Sequence, residues 1–169
     1  SMNILVTGCA GMIGSYLTSH LLNLFSTKDG NRIFGIDNLS RGKLSNLKEA
    51  CGDKFEEFVF INADLSYFHD SWGDYFQNLD IVIHLADIVA GIGYVFSNES
   101  YVFRTNLLIN SNVSKAIYLH KPKRYIYVGT ACSFPRNLQL STTSTPLIED
   151  NQFPAAPESG YGWSKLCLL

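Results

Sequence analysis

An open, doubly wound α/β sheet is the fold class this sequence predicts, and three observations predict it. Glycines fall at positions 8, 11 and 14, directly after an apolar run and directly before a segment of helical periodicity. Short, continuous apolar runs recur along the chain and alternate with helical patterns, as strands buried on both faces of a parallel sheet do. Several of these runs end on or near a residue that can carry chemistry, among them Thr7, Asp37 and Asp64.

Asn3-Ile4-Leu5-Val6-Thr7 reads as the first strand, and Ile13, Leu17, Leu21 and Leu24 give the following helix an apolar face. Between them, Gly8 allows a sharp turn out of the strand. Gly11 allows the main chain to approach phosphates, and Gly14 allows the helix to lie close on the strand. Strand, tight turn and helix in this order place a pyrophosphate on a helix N-terminus, with Met12 and Ile13 in its first turn. Arg32–Ile36 is the second strand, closed by Asp37, and Phe58–Ile61 is the third, ending near Asp64. Trp72, Tyr75, Phe76 and Leu79 stand at helical spacing and predict a helix over Tyr67–Leu79. Asp80–Leu85 is the fourth strand and Tyr125–Val128 the fifth. Between these two strands a long helix is predicted from about Glu99 to His120, stopped by Pro122. Its apolar residues spread over more than one stripe, which implies a second burial surface: a dimer interface, or cover by the loop that follows.

Residues 131–159 show no periodicity, and a loop this long is functional or disordered. Within it, Ser141–Thr145 is of low complexity and is expected to be mobile. The final stretch, Tyr161–Leu169, begins a helix and stops on an apolar end, so the chain reads as part of a larger enzyme. Residues 2–169 are then its nucleotide-binding domain, with Ser1 a tag remnant and a substrate domain to follow.

Composition narrows the class. The chain has 169 residues, 46% of them hydrophobic, which is enough for one domain with a real core. A net charge of −2 gives no reason to expect nucleic acid or an acidic membrane as partner. No apolar run approaches a membrane span, and no leader pattern is present. The four cysteines have no C-x-x-C or zinc spacing, so no metal is expected and a reducing, cytoplasmic setting is.

Asp37 lies about 20 residues beyond the glycine turn, where a carboxylate accepts hydrogen bonds from both ribose hydroxyls of an adenosine and repels a 2′-phosphate. NAD is therefore expected rather than NADP, although Arg41 is close enough in sequence to pair with that phosphate. Asp64 is either a contact to the adenine amino group or a turn aspartate. Tyr161 and Lys165 are four apart, on one face of a helix. A tyrosine needs its pKa lowered by about 3 units to act as a base at neutral pH, and a neighbouring ammonium and the positive nicotinamide ring can jointly favour the phenolate. Thr130, just after the fifth strand, is placed to hold a substrate hydroxyl.

Taken together, Gly8, Gly11, Gly14, Asp37-Asn38-Leu39, Asp64-Leu65, His84-Leu85-Ala86, Asn106, Thr130 and Tyr161/Lys165 resemble the extended short-chain dehydrogenase/reductases. The resemblance covers essentially the whole chain and implies a Rossmann-like sheet, bound NAD and a nucleotide-sugar substrate. It implies cofactor contacts from Gly8, Gly11, Met12, Ile13, Gly14, Asp37, Asn38, Asp64, Leu65, Leu85, Ala86, Asn106, Tyr161 and Lys165. Ala90-Gly91-Ile92-Gly93, Thr130–Pro135 and Phe153–Pro157 narrow it toward the GDP-mannose 3,5-epimerases, with the GDP-fucose synthases second. Both groups carry a cysteine acid/base at the position of Cys132, and substrate contacts are implied for Ala90, Gly91, Thr130, Ala131 and Cys132. The alternative for Cys132 is a small buried thiol, but its position two residues beyond Thr130, at the carboxyl edge of the sheet, argues against it. The sequence departs from the epimerase pattern where Ala90 stands for a glycine, Phe134 for a tyrosine and Asp87 for a small residue. The alternatives to an epimerase are an epimerase/reductase, a dehydratase, or a non-catalytic NAD sensor. A homodimer through the long helix is the expected assembly of the full-length protein, and the chain alone is expected to be inactive.

Overall fold

A computed structural model describes residues 1–140 and 146–167, so the Ser141–Thr145 tract lies outside the described residues. Five strands form one sheet in the order β3-β2-β1-β4-β5. They are β1 (Asn3–Thr7), β2 (Arg32–Asp37), β3 (Phe58–Asn62), β4 (Ile81–His84) and β5 (Arg124–Tyr127). Every pairing is parallel, so each connection must cross over the sheet. The order reverses beside β1, where β2 and β4 flank it on opposite sides. In a doubly wound sheet, ligands bind at this switch point, beyond the carboxyl ends of the strands.

Two compact units divide the chain: Ser1–Ala86 with Ser111–Val128, and Asp87–Asn110 with Gly129–Leu169. The first holds the sheet, α1 (Met12–Leu24) and α2 (Leu44–Cys51). Its core joins Ile4 and Val6 of β1, Leu21 and Leu22 of α1, Ile33 of β2, Leu47 of α2 and Phe58 of β3. The continuous apolar runs of β1 and β2 are thus buried on both faces, while the edge strands leave Val59 of β3 and Ile126 of β5 exposed.

The helix predicted over Tyr67–Leu79 is a short turn of helix, α3 (Asp70–Gly73), followed by a 3-10 turn at Asp74–Phe76. His69 caps it by accepting from the Ser71 N–H at 3.0 Å. The periodicity that suggested a longer helix belongs to an aromatic cluster: Trp72 packs edge-on to Phe68 and Phe76 at ring distances of 5.1 and 5.9 Å. Gly73 and Asp74 are weak helix formers, and burying the aromatics does not require more turns. α2 follows β2 without having been read from the sequence.

The second unit holds α4 (Ile92–Ser97) and α6 (Gly160–Leu166). Among its described residues the stretch 131–159, read as aperiodic, contains three 3-10 turns, at Ala131–Ser133, Arg136–Gln139 and Glu149–Gln152. The long helix, α5 (Glu99–His120), has the predicted bounds. One stripe of it is buried, through Val102, Asn106, Ile109, Val113 and Ala116, while Tyr101, Leu107, Leu108, Tyr118 and Leu119 are exposed. Among the described residues no helix is long and apolar enough to cross a membrane.

Candidate functional site

In the first unit the glycine turn is built as a rigid cradle. Gly8 has φ +72°, and a Cβ there would sit 2.8 Å from the Ala86 nitrogen. A Cβ on Gly14 would overlap the Gly8 carbonyl oxygen, so α1 rests directly on the turn. Gly11 differs: a Cβ would meet only the Gly8 oxygen, at 3.5 Å. Among the described residues nothing crowds this position, so a group from outside can approach the main chain there. Gly11 caps α1 without a side-chain acceptor, and the first turn holds no acidic residue. The first N–H groups of that helix lack intrahelical partners and face outward with the positive end of its dipole. Met12 and Ile13 are exposed beside them and line an open cleft of about 400 Å³ with Ser15, Tyr16 and Ala50. The cradle fits the pyrophosphate of a dinucleotide.

Asp37 does more than end β2. Its Oδ2 accepts from the Ala10 N–H at 3.0 Å and its Oδ1 from the Leu39 N–H at 2.8 Å. Each carboxylate oxygen keeps a lone pair for a hydroxyl donor. The Ala10 carbonyl in turn accepts from the Lys43 N–H at 3.3 Å and the Asn46 amide at 3.2 Å. The loop after β2 is thereby tied to the glycine turn before any ligand arrives. Exposed Asn38 accepts from the Ser40 N–H at 3.0 Å through its Oδ1. Asp64 spends Oδ1 on the Ser66 N–H and hydroxyl, at 2.9 and 2.7 Å, which is the geometry of a turn aspartate. Leu65 beside it is buried.

A pair that sequence reasoning missed fixes the other side of the turn. The Thr7 hydroxyl accepts from the Leu85 and Ala86 N–H groups, both at 3.0 Å, and lies 2.6 Å from His84 Nδ1. With both acceptor positions filled, its proton goes to Nδ1, so His84 is held as the Nε2–H tautomer. Thr7 and His84 are 0% and 1% exposed, so this latch is internal and its role is to place Leu85 and Ala86. Burial, then the Asp37 carboxylate, push the Cys9 thiol well above its ordinary range, which makes it structural.

The second unit carries the reactive side chains. Ser159 caps α6 by accepting from the Gly162 N–H at 3.3 Å, and the helix presents Tyr161 and Lys165 on one face. The Lys165 Nζ lies 5.9 Å from the centre of the Tyr161 ring. The Thr130 hydroxyl hydrogen-bonds the phenol, and it also accepts from the Cys132 N–H at 3.2 Å. Gly162 brings the Ala131–Ser133 turn against the helix: a Cβ there would overlap the Cys132 carbonyl oxygen. Cys132 is exposed, which removes the buried-thiol alternative, and only the backbone of Ala131 is described.

From the sequence, the Lys165 ammonium is expected to favour the phenolate of Tyr161 jointly with the nicotinamide ring. Instead it pairs with the buried Asp87 carboxylate at 2.5 Å. The Tyr161 phenol is accordingly pushed up rather than down, by burial first and then by the Asp87 and Cys132 charges, with the Thr130 hydrogen bond opposing. Asn106 lies at 0% exposure and gives its amide to Ile88, accepting from the N–H at 2.6 Å and donating to the carbonyl at 3.3 Å. Ala90 is half-buried, and exposed Gly91 caps α4.

Residues 4–169 match the family model for the NAD dependent epimerase/dehydratase family. GDP-mannose 3,5-epimerase of Arabidopsis thaliana is 28% identical over 167 residues, which are 98% of this chain and 41% of that protein. The solved UDP-Glc/GlcNAc 4-epimerase of Campylobacter jejuni superposes with a TM-score of 0.74 at 26% identity, over 98% of this chain and 46% of that one. The Bordetella bronchiseptica enzyme WbmG, solved with NAD and UDP, gives 0.73 at 26% identity, over 98% and 47%. The chain thus spans less than half the length of the relatives it matches. With the glycine cradle, the Asp37 anchor and the tyrosine–lysine helix in place, it belongs to the NAD-dependent epimerase/dehydratase family.

Proposed function

We propose that this chain is the cofactor-binding and acid/base part of a nucleotide-sugar epimerase that works through a transient 4-keto sugar, of the GDP-mannose 3,5-epimerase type. The observation that carries the reading is the exposed Cys132 thiol, packed through Gly162 against the helix that bears Tyr161.

The α1 N-terminus and the glycine cradle hold the pyrophosphate of NAD, and Asp37 takes the adenosine ribose hydroxyls. Bound NAD supplies a hydride acceptor that later returns the hydride. Tyr161 takes the proton of the sugar C4 hydroxyl as that carbon is oxidised, with Thr130 holding the hydroxyl in line. The resulting ketone acidifies the adjacent C–H bonds. Cys132 then exchanges a proton at one of these carbons, together with a partner group from the rest of the protein. A GDP-sugar as substrate rests on the resemblance of Thr130–Pro135 and on the GDP-mannose 3,5-epimerase relative. The full-length protein acts as a homodimer in the cytoplasm on this reading.

A 4-epimerase, the activity named for the Campylobacter jejuni structure, is the second reading; it needs Tyr161 and Thr130 but no thiol. Solvent deuterium separates the two. In the full-length protein given GDP-mannose, Cys132→Ala should still form 4-keto intermediate while deuterium entry beside the ketone falls about 10²–10⁴-fold. Tyr161→Phe should suppress both. Exchange at the wild-type rate in Cys132→Ala would make the thiol structural and leave the 4-epimerase reading in place.

A further inference from the structure

The turn that follows β3 is held from behind by α5, through a single peptide plane. The Asn112 amide of α5 donates to the Leu65 carbonyl at 2.9 Å. The N–H on the far side of that same peptide belongs to Ser66, and it donates to Asp64 Oδ1 at 2.9 Å. A peptide unit is planar, so holding its carbonyl fixes the direction of its N–H. The Ser66 hydroxyl donates to the same oxygen at 2.7 Å, and the Tyr67 N–H closes the turn on the Asp64 carbonyl at 3.3 Å. Among the described residues Oδ2 has no partner, so it is the oxygen left for a donor from outside. Asp64 is exposed, whereas the Leu65 side chain is buried and anchors the turn. One helical turn beyond Asn112, the Lys115 ammonium lies 3.9 Å from the centre of the Phe68 ring. Trp72 Nε1 donates to the Tyr67 carbonyl at 2.8 Å. The Ala63 N–H donates to the Asp37 carbonyl at 3.2 Å, which sets the turn beside the residue assigned to the adenosine ribose. All of these residues belong to the first unit.

We propose that Asn112 is a positioning residue for the adenine end of the cofactor: by holding the Leu65–Ser66 peptide, it orients the Asp64 carboxylate so that Oδ2 accepts from the adenine amino group. Turn aspartate and adenine contact are then one arrangement, with Oδ1 used inside the turn and Oδ2 outside it. Without the Asn112 donor the Leu65 carbonyl loses its partner, and the peptide is free to rotate toward another. The Ser66 N–H then turns off Asp64, and the carboxylate regains its other rotamers. Neither Asn112 nor Lys115 needs to touch the nucleotide. This rests on the proposed placement of NAD along α1 and Asp37 and not on the sugar chemistry, so a different reaction at Tyr161 and Cys132 leaves it in place.

The test is calorimetry on the full-length protein at neutral pH, comparing NAD with its analogue in which purine replaces adenine and only the amino group is missing. Wild type should bind NAD at least about tenfold more tightly than the analogue, as a hydrogen bond to a carboxylate requires. Asn112→Leu should bring the two affinities within about threefold of each other, by weakening NAD and leaving the analogue nearly unchanged. Asp80→Ala is the control for a merely structural loss. It removes a bond to the Asn3 N–H at the amino end of the strands, so it should lower the melting temperature and leave the preference for NAD intact. A wild-type preference retained in Asn112→Leu overturns the proposal, and so does a wild-type protein that binds both nucleotides equally. Should Asn112→Leu not fold, Asn112→Asp decides by the same ratio, since it keeps the size of the side chain and removes the donor. A wild-type protein that binds neither nucleotide overturns the placement of NAD and this inference with it, whereas deuterium exchange that does not depend on Cys132 touches only the reaction.

Discussion

At the scale of single residues, the sheet is pinned by a carboxylate far from the reactive side chains. Asp80 accepts from the Asn3 N–H at 2.7 Å and from the Lys123 ammonium at 2.6 Å, which ties the start of β1 to the approach to β5. The Lys123 hydrogen bond, followed by that from Asn3, holds the Asp80 carboxyl below its usual value. Lys123 is 81% exposed, so the ion pair itself contributes little. The backbone bond matters more. Asp80→Ala should therefore cost about 1.5–3 kcal/mol at pH 7, the range for hydrogen bonds to a charged group. The folded pKa is depressed, so this stability is fully present above the unfolded value of about 3.9 and is lost as pH falls through the folded one. Urea unfolding of wild type and variant should show a constant gap from pH 7 to about 5 that closes below about 4. A gap that persists undiminished into stronger acid would show that the carboxylate charge is not its source.

At the scale of elements, what could be read from the sequence was whatever a local pattern decides. Continuous apolar runs marked all five strands to within a residue or two; in the inner strands this is because burial on both faces leaves no room for polar interruption. The glycine spacing marked the cradle because backbone overlap at Gly8 and Gly14 admits no side chain. The same reasoning failed over Tyr67–Leu79, where aromatic packing imitates helical periodicity. It also could not reach pairs set by tertiary contact: Lys165 with Asp87, or Thr7 with His84, join positions far apart in the chain. Gly162 stood inside a motif read only for its tyrosine and lysine, yet it sets how close Cys132 comes. Gly162→Ala should force the Ala131–Ser133 turn off α6, at about 1–3 kcal/mol of strain. Gly93→Ala is its control, since a Cβ there meets nothing within 4 Å and helix propensity favours alanine. The expected outcome is a lower melting temperature for Gly162→Ala alone, with deuterium exchange falling further than NAD affinity. Equal behaviour of the two variants would mean that the turn yields without cost.

At the scale of the whole molecule, the long helix carries the proposed assembly. Five of its large apolar or aromatic residues remain exposed: Tyr101, Leu107, Leu108, Tyr118 and Leu119. Of these, Tyr101, Leu108 and Leu119 fall on one line, because steps of seven and eleven residues return to nearly the same face of a helix. The buried stripe through Val102, Asn106, Ile109, Val113 and Ala116 lies on another. Scattered surface leucines need no explanation, but an aligned apolar set along about five turns does. On the proposed homodimer, a second copy of the protein laying the same helix against this one would bury it by an isologous contact. Sedimentation of the full-length protein should therefore give a dimer, and Leu108→Glu/Leu119→Glu should shift it to monomer, since two unpaired carboxylates on each side would face their counterparts in a desolvated seam. Both positions are exposed within the protomer, so melting of the monomeric variant and its affinity for NAD should stay close to the wild-type protomer's. A wild-type protein that sediments as a monomer at tens of micromolar, or a double variant that remains dimeric, would show that this face is covered by something other than its own copy.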